Sequence, residues 1–190
     1  MTLKMPSILA SPRGLTLSRA QWQAACDFAI EGSLFPGSEY HGQDHWRAVA
    51  SQGLRLAKIA GLGRRGRATA ALFGLFHDCR RENDDWDPEH GTRGAEALHA
   101  SPIYNLLDYD LCASLAQSME LHDSGQTTSD PLVGLGWDAD RSTLGRVGIV
   151  PAVGFFSVIP HEDFIQFIED GAAATRAPMS WEEIFDAAFS

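Results

Sequence analysis

Cysteine is scarce in this chain: Cys26, Cys79 and Cys112 are odd in number and form no CxxC pair. That pattern gives no thiolate zinc site and no disulfide framework, so three reduced, buried thiols are expected. Positive charge is thin as well, with 15 lysines and arginines against 25 acidic residues and a net charge of −10. A broad phosphate-tracking surface is therefore not expected, and neither is long nucleic acid as a partner. The nearest basic cluster, Arg64, Arg65 and Arg67, is short and reads as a solvated helix start. No apolar run approaches membrane-spanning length, and MTLKMPSILASPRG is too briefly apolar for a signal core. The expectation from these absences is a cytoplasmic protein without a membrane partner.

Several catalytic fingerprints are missing too. GLGRRG at 61–66 lacks the preceding strand and the spacing of a dinucleotide or P-loop motif, and no GxSxG elbow occurs. What is present suits one ordinary globular domain: 190 residues, 44% hydrophobic and 21% charged, without low-complexity segments or repeats. Residues 1–17 read as an N-terminal extension and 18–190 as a single, mostly α helical bundle.

Helical periodicity dominates. Ser18 to Glu31 reads as a first helix capped by Ser18 and stopped by Gly32. A second runs from about Asp44 to Ala60, with His45 in its first turn and Gly61 as its stop. The third, about Arg65 to Cys79, is apolar nearly all round and should be central. Further helices are expected over Gly91–Ala100, Asp110–His122, from Pro131 through Trp137 and Asp140, His161–Gly171 and Ser180–Phe189. The apolar stretch IVPAVGFFSVIP fits either an extended or an irregular segment.

The chemistry-bearing residues fall at helix ends and in polar loops. His77 and Asp78 close the apolar run Ala70–Phe76, His45 lies upstream in HGQDHWRAVA, and WDADR carries Asp138 and Asp140. Imidazole nitrogen and carboxylate oxygen are the donors a borderline or hard divalent ion takes. Three helices packed at one end would bring these groups together. By themselves His77 and Asp78 also fit a plain helix end, since histidine meets the C-terminal dipole well and aspartate is common in loops.

The order His, His-Asp, distant Asp over roughly Gly37–Gly148 resembles the HD superfamily of metal-dependent phosphohydrolases. FHDCRRENDDWDPEHG, LHDSGQTTSDP and GWDADRSTLGRVGIVP are similar to an uncharacterised bacterial HD subfamily. The resemblance implies an HD-type bundle with its motif-bearing core at about 37–148. It implies His45, His77, Asp78 and Asp140 as metal ligands, Asp138 being the competing assignment to Asp140. The DADRST segment lacks a further acidic residue that many relatives carry after the arginine.

The implied activity is hydrolysis of a nucleotide or other small phosphoester, as a phosphomonoesterase or phosphodiesterase. The cofactor would be a divalent ion (Mn, Mg, Zn, Fe, Co or Ni), with room for a second. A di-iron HD oxygenase and a non-catalytic nucleotide-binding HD module are the other classes. His90 and His122 are candidates for a second ion, for substrate phosphate or for the leaving oxygen. Arg80 and Arg81 are candidate phosphate clamps, of which at most one need point inward. Glu89, beside His90, is the candidate base among the acidic residues of its loop. Cys79 reads as core packing and His41 as a turn residue. The sequence leaves substrate, metal identity and any homo-oligomer open.

Overall fold

The computed structural model describes residues 15–190, which form eight α-helices and four short 3₁₀ turns without a strand among them. The helices are α1 (Arg19–Glu31), α2 (Gln43–Ile59), α3 (Gly63–Phe76), α4 (His90–Ala100), α5 (Tyr109–Leu121), α6 (Pro131–Arg141), α7 (Phe164–Arg176) and α8 (Trp181–Phe189). No helix among the described residues is long and apolar enough to cross a membrane. Of the expected N-terminal extension, residues 1–14 lie outside the described residues. Leu17, the last residue of the expected extension, is buried in the core, where its apolar side chain is shielded from water.

Helix starts follow the local chemistry. Ser18 and Ser180 each form a capping box, with Gln21 and Glu183 reaching back to the cap amide. Asp130 accepts from Leu132 N at 2.8 Å ahead of Pro131, whose missing donor costs nothing in a first turn. Asp108 caps α5 by accepting from Leu111 N and also pairs with Arg65 at 2.8 Å. Arg65, expected in a solvated cluster, thus ties the start of α3 to the start of α5.

Helix α3 is the central element, buried at every position from Ala68 to Phe76. It crosses α2 at short range because of Gly74, where an added Cβ would lie 2.6 Å from Ala50 Cβ and 2.7 Å from Ala50 N. That approach sets the beginning of α2, and hence His45, against the end of α3. Helix α4 covers the same end: a Cβ at Gly94 would lie 2.6 Å from Phe76 O and 2.8 Å from His77 O. The regular helix stops at Phe76 rather than Cys79. His77 N still bonds Phe73 O, but Cys79 N and Arg81 N take i−3 carbonyls in successive turns. His77 and Asp78 are therefore presented at the helix terminus, not along its side.

The stretch after Ile149 is irregular, with short 3₁₀ turns at Val153–Phe155 and His161–Asp163, and α7 begins later than expected and extends to Arg176. Cys26, Cys79 and Cys112 are free and buried. Burial pushes the Cys79 thiol up to about 12, so this sulfur packs rather than reacts.

A candidate metal centre

Four elements deliver histidine to one place. His45 comes from the first turn of α2, His77 caps α3, His90 opens α4 and His122 follows α5; all four are buried. Backbone carbonyls hold three of the rings by Nδ1. His77 Nδ1 donates to Phe73 O at 3.1 Å, His122 Nδ1 to Met119 O at 2.7 Å, and His90 Nδ1 to Asp87 O. A carbonyl can only accept, so these nitrogens carry the proton and the Nε2 lone pairs face inward. Phe73 stacks on His77 with centroids 4.9 Å apart and fixes the ring plane further.

The inward nitrogens meet one another. His45 Nε2 lies 3.2 Å from His77 Nε2, and His90 Nε2 lies 2.9 Å from His122 Nε2. Asp78 stands between the pairs. Its Oδ2 is 3.3 Å from His45 Nε2 and 3.5 Å from His77 Nε2, whereas its Oδ1 is 3.3 Å from His90 Nε2 and 3.8 Å from His122 Nε2. Asp140, from the last turn of α6, places Oδ1 3.3 Å from His45 Nε2. Two groups result: His45, His77 and Asp140, and Asp78, His90 and His122, with ligand atoms in each within 4.8 Å of one another.

This donor set fits a cation. Neighbouring lone pairs repel, and the buried Asp78 Oδ1 has no hydrogen-bond donor. A divalent ion among Nε2 and carboxylate oxygens satisfies the inward donors, and the carbonyls behind the rings set tautomer and orientation for that role. The clusters could thus hold a metal ion, in one group or in both.

Protonation states agree with this reading. Burial lowers His77 to about 3 and lowers His90 as well, which keeps their imidazoles neutral. Burial alone would raise the Asp78 carboxyl, but His77 first and then His45 and His122 reverse this and hold it well below the ordinary carboxylate range. Asp140 is held low in the same way, burial being outweighed chiefly by its hydrogen bond with His45.

The sign of these shifts makes the metal-free protein sensitive to acid. Unfolded histidine takes a proton near pH 6.5, whereas folded His77 resists it down to about 3. In that window the unfolded chain binds more protons, so stability present above about pH 6.5 is lost as pH falls. The depressed carboxylates add to the loss below about pH 4. Metal-free protein should melt at progressively lower temperature from about pH 6.5 downward in circular dichroism. A flat melting temperature between about pH 7 and 5 contradicts neutral imidazoles at His77 and His90.

Not every expected site residue is here. Arg80, expected to clamp phosphate, donates to Ala29 O at 2.9 Å and Phe28 O at 3.1 Å and lies over the Phe28 ring. These are last-turn carbonyls of α1, where the negative end of the helix dipole attracts a guanidinium. Arg81 turns inward instead, with Nη1 3.6 Å from Asp78 Oδ1 and Nη2 donating to Asp85 O at 2.8 Å. Glu89 is exposed and serves α4 only through its backbone, its carbonyl accepting from Arg93 N. The buried carboxylate of that loop is Asp87, which pairs with Arg93 at 2.6 Å and accepts from Glu82 N at 2.8 Å. Asp87 thereby fixes the carbonyl that holds His90.

Asp138 faces away from the cluster and accepts from Ser157 N at 2.8 Å, Val158 N at 2.7 Å and Ile159 N at 3.0 Å. Residues two apart on a helix differ by about 200°, so Asp138 and Asp140 serve opposite sides of α6. His41 is more than a turn residue: its Nδ1 lies 3.1 Å from Asp84 Oδ1, and it lines the mouth of the cluster. His99 packs on Tyr104, and His161 is exposed.

Sequence reasoning missed Arg146. Its Nη2 lies 3.2 Å from His45 Nε2, and its Nε donates to Tyr40 O at 2.9 Å. It stands in a short 3₁₀ turn (Leu144–Val147) with no periodicity to flag it; only its closeness to Asp140 in the chain was a signal. The mouth above the cluster is a cavity of about 380 Å³, lined among others by Arg81, Arg146, Asp85 and Asp123. Scans against protein-family models, curated proteins and solved structures each return no match.

Proposed function

We propose that the protein is a metal-dependent phosphohydrolase of HD type that acts on a small phosphoester, with two cations side by side. The observation that carries this reading is Asp78, whose two oxygens are divided between His45 with His77 on one side and His90 with His122 on the other. Asp78 would hold both ions, Asp140 would complete the first group, and His90 with His122 would complete the second. When bound, the ions supply Lewis-acid polarisation of the phosphoryl group and activation of water.

The protein's own groups do the rest. Arg81 and Arg146 put positive charge at the mouth of a cavity otherwise rich in carboxylate, which suits an anionic group bound against the ions. The carbonyl-held imidazoles are already oriented and need no reorganisation when an ion arrives. Burial of the cluster keeps bulk water from screening these charges.

The test is phosphate release from a panel of phosphomonoesters and phosphodiesters by protein loaded in turn with Mn, Mg, Zn, Fe, Co or Ni. Metal-dependent release is expected for at least one ion. Arg146→Ala should retain metal and raise KM by about tenfold or more, the scale of a lost charge-assisted contact of about 1.5–3 kcal/mol. No release with any metal, or KM unchanged in Arg146→Ala, contradicts the respective assignment.

The shared carboxylate among four histidines also suits a pair of irons, which supports a second reading as a di-iron oxygenase. Two irons per chain with an oxygen-sensitive visible absorption band, together with no phosphate release, would favour it. Tight nucleotide binding without turnover under any metal would favour a non-catalytic module.

A further inference from the structure

Beside the metal cluster lies a second hollow of about 360 Å³, walled by Leu144, Ile149, Val150, Pro151, Phe155 and Phe156. It is continuous with the mouth of the centre, because His122, Asp123, Asp140, Leu144 and Ile149 line both. Its wall is exposed to an unusual degree for large apolar residues: Ile149 and Phe155 are each 52% accessible and Val150 is 89% accessible. Contiguous exposed apolar surface of this kind marks a place that something apolar covers.

The wall is also held in position. Asp138 takes three successive amides, Ser157, Val158 and Ile159, and Arg141 donates to Phe155 O. Gly134 lets the segment lie directly on α6, since a Cβ there would meet Ser157 Cβ at 2.7 Å. One helix therefore carries, two residues apart, the wall's anchor and the centre's Asp140.

Polar partners for a ligand are few inside this hollow. His122 and Asp140 face the cluster, Arg141 is engaged by Phe155 O and by His122 O at 3.4 Å, and the exposed Asp123 is the remaining charged group of the lining. A sugar placed here would find few partners for its hydroxyl groups, each of which loses water without compensation, whereas an apolar group gains by covering the wall.

From this juxtaposition we infer that the hollow is the subsite for the organic group of the substrate: a phosphoryl compound bearing a compact apolar or aromatic group in place of a sugar. The inference rests on the phosphohydrolase reading for the phosphoryl half alone. The phosphoryl group sits at the cluster between Arg81 and Arg146, and the apolar group lies against Ile149 and Phe155.

Calorimetry on metal-loaded protein with two non-hydrolysable probes, phenylphosphonate and methylphosphonate, tests it. Wild type should bind the phenyl compound about tenfold or more tighter, the scale for burying a ring of that size. The paired substitution Val150→Ser with Phe155→Ser, at wall positions that do not line the mouth of the centre, should bring the two affinities to within about twofold. Unchanged methylphosphonate affinity and an unchanged circular dichroism spectrum show that the variant is folded. Equal affinities in wild type, or a preference that survives both substitutions, overturn the subsite. A preference that collapses in the variant while no ester is hydrolysed under any metal upholds the subsite and removes the phosphohydrolase reading. Sedimentation that finds a dimer split by Val150→Asp assigns the wall to a second copy of the chain and overturns the proposal.

Discussion

Asp78→Ala is expected to strip metal from both halves of the centre and to lower turnover by about a thousandfold or more, beyond the usual cost of one positioned acid or base. Asp78 is the side chain within 3.8 Å of all four imidazoles, and each of its oxygens faces a different pair. Without it the two groups share no anion, and the positive charges of two ions would face each other uncompensated. The paired substitution His90→Ala with His122→Ala removes donors from one side only, since His45, His77 and Asp140 form their own group. That variant should retain one ion per chain and lose about a hundredfold in turnover. Elemental analysis of dialysed protein and phosphate-release kinetics read both. Two ions per chain in Asp78→Ala would sink the assignment of a shared carboxylate.

Asp138→Ala should cost about 3–5 kcal/mol of stability while leaving metal binding intact. Three amides lose their acceptor, and an orphaned, desolvated donor costs about 1–3 kcal/mol, less the gain from no longer burying a carboxylate. At roughly 2–4 °C per kcal/mol for a chain of this size, the melting temperature falls by about 10 °C. Asp140→Ala should do the reverse, with a small change in melting temperature and loss of the ion held with His45 and His77. Calorimetric melts with and without metal separate the two. If Asp138→Ala melted like wild type yet lost its metal response, the roles of the two aspartates would be exchanged.

Much of the helical layout was legible because it rests on local chemistry. Ser18 and Ser180 with their capping partners, Pro131 behind Asp130, and the unbroken apolar stretch of α3 each state an element within a few residues. The boundaries that moved did so for non-local reasons. Helix α3 stops at Phe76, where α4 packs by way of Gly94 onto the Phe76 and His77 carbonyls. Arg80 and Arg81, adjacent in the chain, part company because the end of α1 supplies acceptors for one and Asp78 attracts the other.

The candidate site was legible by residue type but not by arrangement. The sequence by itself determined an all-helical chain and the histidines and aspartates available as donors, since periodicity, caps and composition are properties of short stretches. The tertiary structure decided that His90 and His122 join Asp78, that Asp87 rather than Glu89 is the buried carboxylate of its loop, and that Arg146 reaches His45. It also decided that the apolar stretch after Ile149 opens beside Asp140 while Asp138 anchors it. Those outcomes depend on helix crossings as close as Gly74 against Ala50. A crossing angle is set by which side chains interdigitate across the whole core, and no local stretch of sequence contains that information.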